Sequence, residues 1–454
     1  MLLKSKKNTP QKKLWQKSYN VLPQVEAFTV GRDREMDLFL APYDVLGSLA
    51  HIRMLASIGL LTKEEWEILN KSLQDIYGRI LEGNFDIEPG VEDVHSQVEL
   101  LLTREVGEAG KKIHSGRSRN DQVLVDLRLF FRAEITSLVQ EVTRLFDLLL
   151  QLSEQHKNFL LPGYTHLQVA MVSSYGLWLG AYAESLVDDV RLLQAVYDIV
   201  NQNPLGSAAG YGSSFPLNRR MTTELLGFAD LNYNVVHAQM GRGKSEHYLA
   251  FGLAGLAHTV GKLAMDICLY MNQNFGFVSF PDEWTTGSSI MPHKKNPDVF
   301  ELIRGRCNTL QALPGMVSQL TGNLPSGYHR DFQLLKEHLF PAIQSMKDCL
   351  RIATAALKEM RINPDALAGD RYQYLYTVEA VNEAVLQGLP FREAYRQVGE
   401  AVEKGTFRYS GELKHTHEGS LGNLCLPEVQ EKMNRVLAGF GFEKADQAVR
   451  KLLL

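Results

Sequence analysis

Residues 122–161 read QVLVDLRLFFRAEITSLVQEVTRLFDLLLQLSEQHKNFLL, forty positions without a glycine or a proline. Leu127, Phe130, Phe131, Ile135, Leu138, Val142, Leu145, Phe146 and Leu149 recur within it at the spacing of one helical face. Glycine and proline punctuate helices, so their absence predicts one unbroken helix of up to 40 residues, about 60 Å long at 1.5 Å per residue. Globular helices ordinarily run about 10–14 residues. The expected fold is all-α, with a core of unusually long helices.

Two more long candidates follow, at about 168–202 and about 243–273. The second includes AFGLAGLAHTVGKLA, whose closely spaced glycines and alanines would let helices approach, offsetting about 1 kcal/mol of propensity lost per glycine. Helices apolar over most of their circumference cannot all be covered by one chain of 454 residues. An elongated bundle that buries its remaining faces against other copies is the economical solution.

Shorter elements flank this centre. In LTKEEWEILNKSLQDIYGRILEG, Thr62 and Glu65 form a capping box, and Trp66, Leu69, Leu73, Ile76, Tyr77 and Ile80 make one apolar stripe that ends before Gly83. Past about residue 365, short helical patterns are broken by GLPF, KGTF and HTHEGSLGN. Three mostly helical domains are therefore expected: 1–116, a central long-helix bundle over 117–365 that carries the polar loops, and a small domain over 366–454.

A formal net charge of -4 and no arginine-rich helix argue against a nucleic-acid partner. Cys268, Cys307, Cys349 and Cys425 are far apart with no metal-ligand spacing, which points to a reducing, cytoplasmic setting and no structural zinc. The opening MLLKSKKNTPQKKLWQK has no apolar run and reads as a basic tail rather than a secretory signal. The longest stretch free of formal charge, 158–183, contains Pro162, Gly163, Thr165, His166 and Gln168, so burial inside protein is expected there rather than a membrane span.

Four polar loops interrupt the helical pattern. In KKIHSGRSRNDQ (111–122), Arg117 and Arg119 beside a helix N-terminus suit an anion, unless Ser118, Asn120 or Asp121 is only a cap and the arginines are solvated. PGYTHLQ (162–168) offers Thr165 and His166 for a hydrogen bond and a proton, against the commoner case of a satisfied core histidine. NPLGSAAGYGSS (203–214) permits close backbone approach but carries no nucleotide fingerprint. TGSSIMPHKKNP (286–297) brings mobile backbone, two serines, Lys294 and Asn296 together, ahead of a helix whose first turns carry Glu301. Arginine, lysine, serine, threonine and histidine without a metal or cofactor pattern describe a site for a small polycarboxylate handled by proton transfer.

GSSIMPHKKNPD resembles the signature of the fumarase/aspartase superfamily, and GKKIHSGRSRNDQVLVDLRLF, PGYTHLQ, EDVHSQVE (92–99) and GYHRDFQLLKE (327–337) are similar to the argininosuccinate lyase branch of it. The resemblance runs from about residue 28 to the C-terminus. It implies a homotetramer whose long helices form a common core, with each site built from loops of three subunits, and cleavage of argininosuccinate to arginine and fumarate without a cofactor or metal. It assigns Ser288 as the base, and Thr165 and His166, oriented by Glu301, to the leaving group. Lys294 and Asn296 then bind the substrate carboxylates, while Arg119, Asn120, Tyr328, Gln333 and Lys336 bind substrate, the last three towards the arginine end. The chain departs from the family pattern at Val91, where aspartate is usual, at Pro42, where a serine is expected, and at His293 in place of glutamine. The first two fall on the arginine side and leave a modified arginine as the alternative amine.

Overall fold

The computed structural model describes residues 22–454; the basic tail lies outside the described residues. Among the described residues the regular structure is helical, apart from three two-stranded sheets. The elements that place the site are α1 (Ala41–Ser57), α2 (Lys63–Leu81), α3 (Val94–Val106), α4 (Arg119–His156), α5 (Tyr175–Val200), α6 (Lys244–Tyr270), α7 (Asp298–Gln311), α8 (Leu334–Lys358), α9 (Leu426–Ala438) and α10 (Phe442–Leu453).

The long helix is real. α4 spans 38 residues, opened by a capping box in which Asn120 N–H donates to Ser118 Oγ at 3.2 Å and Ser118 N–H to Asp121 Oδ1 at 2.7 Å. Along the stripe, Phe131, Ile135, Leu138, Val142, Leu145, Phe146 and Leu149 are fully buried. Each side chain buried in this way contributes roughly 1.5–3 kcal/mol, which is what holds so long a helix in place. The same cap logic holds in α2, where Glu65 N–H donates to Thr62 Oγ1 and Thr62 N–H to Glu65 Oε2.

The second long candidate begins later than expected. Residues 160–174 form a hairpin of β1 (Leu160–Thr165) and β2 (Gln168–Ser174), and α5 starts only at Tyr175. Ser174 accounts for the boundary, because its Oγ accepts Leu177 N–H at 3.0 Å and so caps the helix there. The third candidate runs as α6. A Cβ on Gly252 would lie 2.9 Å from Leu193 of α5, and one on Gly261 3.0 Å from Cys307 of α7, so these glycines do serve close helix approach.

α5 packs along α4 and α6, α7 along α6, and α8 along α4. One apolar core runs through these helices and takes in Val429, Met433 and Val436 of α9. A second, built on α1 to α3, takes in Leu452 of α10. Leu192, Ile199, Phe251, Met265 and Leu302 stand exposed on the long helices of the single chain. No helix among the described residues is long and apolar enough to cross a membrane.

Because the helices run back and forth, the connecting loops collect at two ends. The 160–174 hairpin meets the segments after α6 and α8, with the Tyr164 ring 5.3 Å from that of Phe275 and its hydroxyl 3.3 Å from that of Tyr372. At the other end the start of α4 meets the 203–214 loop, and Gln333 Nε2 donates to the carbonyls of Thr29 and Val30.

Candidate active site

The predicted site residues divide between these two ends, with the α6 helix, 27 residues or about 40 Å, running from one to the other. Thr165, His166, Ser288, Lys294, Asn296 and Glu301 lie at the end where α4 finishes and α6 ends. Arg119, Asn120, Tyr328, Gln333 and Lys336 lie around the N-terminus of α4.

His166 and Leu167 are the two turn residues of the hairpin, both left-handed, with φ of 53° and 58°. Positive φ at both central positions is the type I′ form of the two-residue hairpin, which Asn-Gly normally supplies. Holding histidine and leucine there costs roughly 1–2 kcal/mol each. The turn pushes Thr165, His166 and Leu167 out of the chain, with Leu167 74% exposed. Burial of this stretch within the chain, as its composition suggested, therefore does not extend to the tip, and His166 is no core histidine.

The 286–297 loop is pinched at its neck by backbone hydrogen bonds between Thr286 and Asn296, at 2.8 and 3.4 Å. The Asn296 side-chain amide also donates to Thr286 Oγ1 at 3.4 Å. Inside the loop, Ser288 Oγ accepts two backbone N–H groups, from Met291 at 3.1 Å and Ile290 at 3.4 Å. Hydrogen bonds to the charged form favour it, so these donors stabilise an alkoxide. Lys295 is paired with Asp282, while Lys294 has no ion-pair partner among the described residues. Lys294, Asn296 and Glu301 face one open cleft of about 900 Å³ between the loop and the C-terminal turns of α6. Glu301 lies 3.9 Å from Arg304 of its own helix, and no hydrogen bond joins it to His166 among the described residues.

At the other end the expected free anion site is occupied by the chain itself. Arg119 donates to Glu92 Oε2 and Ser96 Oγ, each at 2.8 Å, and lies 3.2 Å from Asp93. Arg117 is buried, donates to Ser48 Oγ, and is surrounded by Asp44, Asp121 and Asp126, so it is neither solvated nor open to a ligand. Lys336 is buried between Asp33 and Asp37. Asn120 and Tyr328 are partly exposed. Pro42 sits in the first turn of α1, where its missing N–H costs nothing, and the Val91 carbonyl accepts Arg34 Nε.

A family model described as Lyase matches residues 11–311. An argininosuccinate lyase of Parabacteroides distasonis is 60% identical over 441 residues, covering 97% of this chain and 99% of its own. The chain belongs to the argininosuccinate lyase family. The argininosuccinate lyase of Thermotoga neapolitana is similar at 39% identity, over 86% of this chain and 98% of its own. Among solved structures, an EDDS lyase variant with bound fumarate superposes with a TM-score of 0.72 at 21% identity, over 95% of this chain and 93% of that one. A class II fumarase from Schistosoma mansoni does so at 0.70 and 16%, over 94% of each. Those two likenesses establish the helical multi-domain fold shared across the lyases.

Within this argininosuccinate lyase framework one buried cluster carries no assignment from sequence, although EDVHSQVE contained its centre. His95 Nδ1 is 2.7 Å from Asp44 Oδ1 and 3.5 Å from Asp126 Oδ2, with all three side chains buried. Burial alone would depress the imidazole, but Asp44, with Asp126 and Asp93 behind it, outweighs that and lifts it to about 9. Three such groups within 4.8 Å have the composition of a metal site, yet here the imidazole is held protonated against Asp44, while burial and the neighbouring Asp44 push the Asp126 carboxyl well up. The triad sits under Glu92 and Asp93, which hold Arg119.

A folded-state value above the ordinary 6.5 means stabilisation present in full below pH 6.5 and lost as pH rises through about 9. The difference is worth about 3 kcal/mol. The gap in urea midpoint between the wild type and His95→Gln is expected to shrink between pH 6.5 and 9.5. A gap that stays constant over that range would show that the imidazole is not held protonated.

Proposed function

We propose that the chain catalyses the reversible β-elimination of argininosuccinate to L-arginine and fumarate, as a carbon–nitrogen lyase of arginine biosynthesis. The observation that carries the mechanism is Ser288, whose Oγ faces two backbone N–H donors in a loop that also presents Lys294, without an ion-pair partner among the described residues. Removing the proton beside a substrate carboxylate builds a dianionic aci-carboxylate, and a cation and amide already in place stabilise it. Lys294 and Asn296 fill that role. Ser288 takes the proton, the C–N bond breaks, and His166 protonates the departing guanidino nitrogen directly or through a water. Thr165 adds a hydrogen bond at the leaving group.

Asn120, Tyr328 and Gln333 meet the substrate from the opposite end of another copy, with Arg119 fixed by Glu92 and Asp93 and Lys336 by Asp33 and Asp37 behind them. The distance between the two groups along α6 supports a site assembled from several chains, as do the exposed apolar faces of the long helices. We take the assembly to be a homotetramer, in which Glu301 of one copy orients His166 of another. The protein mixed with argininosuccinate should produce the ultraviolet absorbance of the fumarate double bond. A flat trace from folded protein would turn the search to a modified arginine.

A further inference from the structure

The 203–214 loop has no part in the chemistry above, yet it is anchored more firmly than a mere turn requires. Asp121, fully buried, takes Ser118 N–H on Oδ1 and, on Oδ2, the N–H groups of Gly206 and Ala208, both at 3.0 Å. Gly206 and Ala208 are both left-handed, at φ of 84° and 54°, so the backbone cups the carboxylate in the concave arrangement that binds anions. Alanine has no freedom of its own to sit there. From the far side, Gln239 Nε2 donates to Ser207 Oγ and to the Ala208 carbonyl, and Arg219 Nε donates to the Leu205 carbonyl. The stem is therefore fixed to the first turn of α4, beside Arg119 and Asn120.

Directly after this fixed stem Tyr211 stands 75% exposed. Its hydroxyl lies 4.0 Å from where a Cβ on Gly327 would be, next to Tyr328. A large ring held out from a rigid stem, between the start of α4 and the Gly327–Gln333 segment, has little to contribute to the core. Guanidinium groups stack on aromatic faces, and the amine half of argininosuccinate carries one.

We propose that the 203–214 loop is a further part of the substrate site, with Tyr211 contacting the guanidinium-bearing half and Asp121 as the positioning residue that holds the loop there. This rests on the function proposed above. Removing the ring in Tyr211→Ala is expected to raise KM for argininosuccinate about tenfold with kcat within about twofold, whereas Tyr211→Phe, which keeps the ring, stays near wild type. Asp121→Asn should raise KM as well, and adding Tyr211→Ala to it should cost much less than it does alone, because the loop is already displaced. Tyr211 is a surface residue, so its variants test the proposal even if Asp121→Asn does not fold. An active wild type whose KM is unmoved by Tyr211→Ala, or a loss confined to kcat, would overturn this inference alone. A wild type that releases no fumarate would overturn the functional reading and the inference with it.

Discussion

Ser288→Ala is expected to bind argininosuccinate within a few-fold of the wild type while kcat falls by about 10²–10⁴, the range typical of a positioned acid or base. A serine hydroxyl is a poor base unless its alkoxide is stabilised. The loop meets that difficulty with geometry: the Met291 and Ile290 N–H groups point at Ser288 Oγ. An alkoxide formed there gains two hydrogen bonds at once, and Lys294 lies in the same loop. Ser289, one residue on, has no such donors among its hydrogen bonds in the described residues, so Ser289→Ala should retain most turnover. Single-turnover kinetics with both variants separates binding from chemistry. Near-normal kcat in Ser288→Ala would remove it as the base.

Mixing two crippled variants should restore activity that neither has alone. Ser288→Ala damages one end of the bundle and Arg119→Gln the other, and the span of α6 keeps these positions from meeting within one chain. If a site takes its Ser288 loop from one copy and its Arg119 helix start from another, random co-assembly leaves both intact in about a quarter of the sites. Co-expression of differently tagged chains, followed by purification of mixed assemblies and the fumarate assay, reads this directly. Mixed assemblies no more active than either parent would mean that each site is complete within a chain.

Several features were legible in the residues because they depend on near neighbours. The forty-residue run without glycine or proline became α4, and Thr62 with Glu65, and Ser118 with Asp121, are capping boxes that can be read three residues apart. The glycines of α6 also behave as their spacing implied, because the side chains opposite leave no room for a Cβ. The hairpin at 160–174 was not legible. Its turn is His-Leu rather than Asn-Gly, so the usual signal is absent; the strand carrying it is paired with β2, and Tyr164 in that strand packs on Phe275 and Tyr372.

Charge partners were equally hidden. Arg119 looked like a free anion binder, but its acids come from 27 residues upstream, and the carboxylates that bury Lys336 lie some 300 residues away. Likewise, nothing in GRSRND tells that Arg117 faces inward to Ser48 while its neighbour reaches Glu92. The sequence by itself determined the presence of the long helices, the start of α4 and the chemical character of the four loops, since periodicity, capping and residue type act over a few positions. Only the tertiary structure decided which cations are already paired, that His166 stands on a strained exposed turn, and that the candidate residues lie at opposite ends of α6, a helix about 40 Å long, because these follow from where distant segments pack.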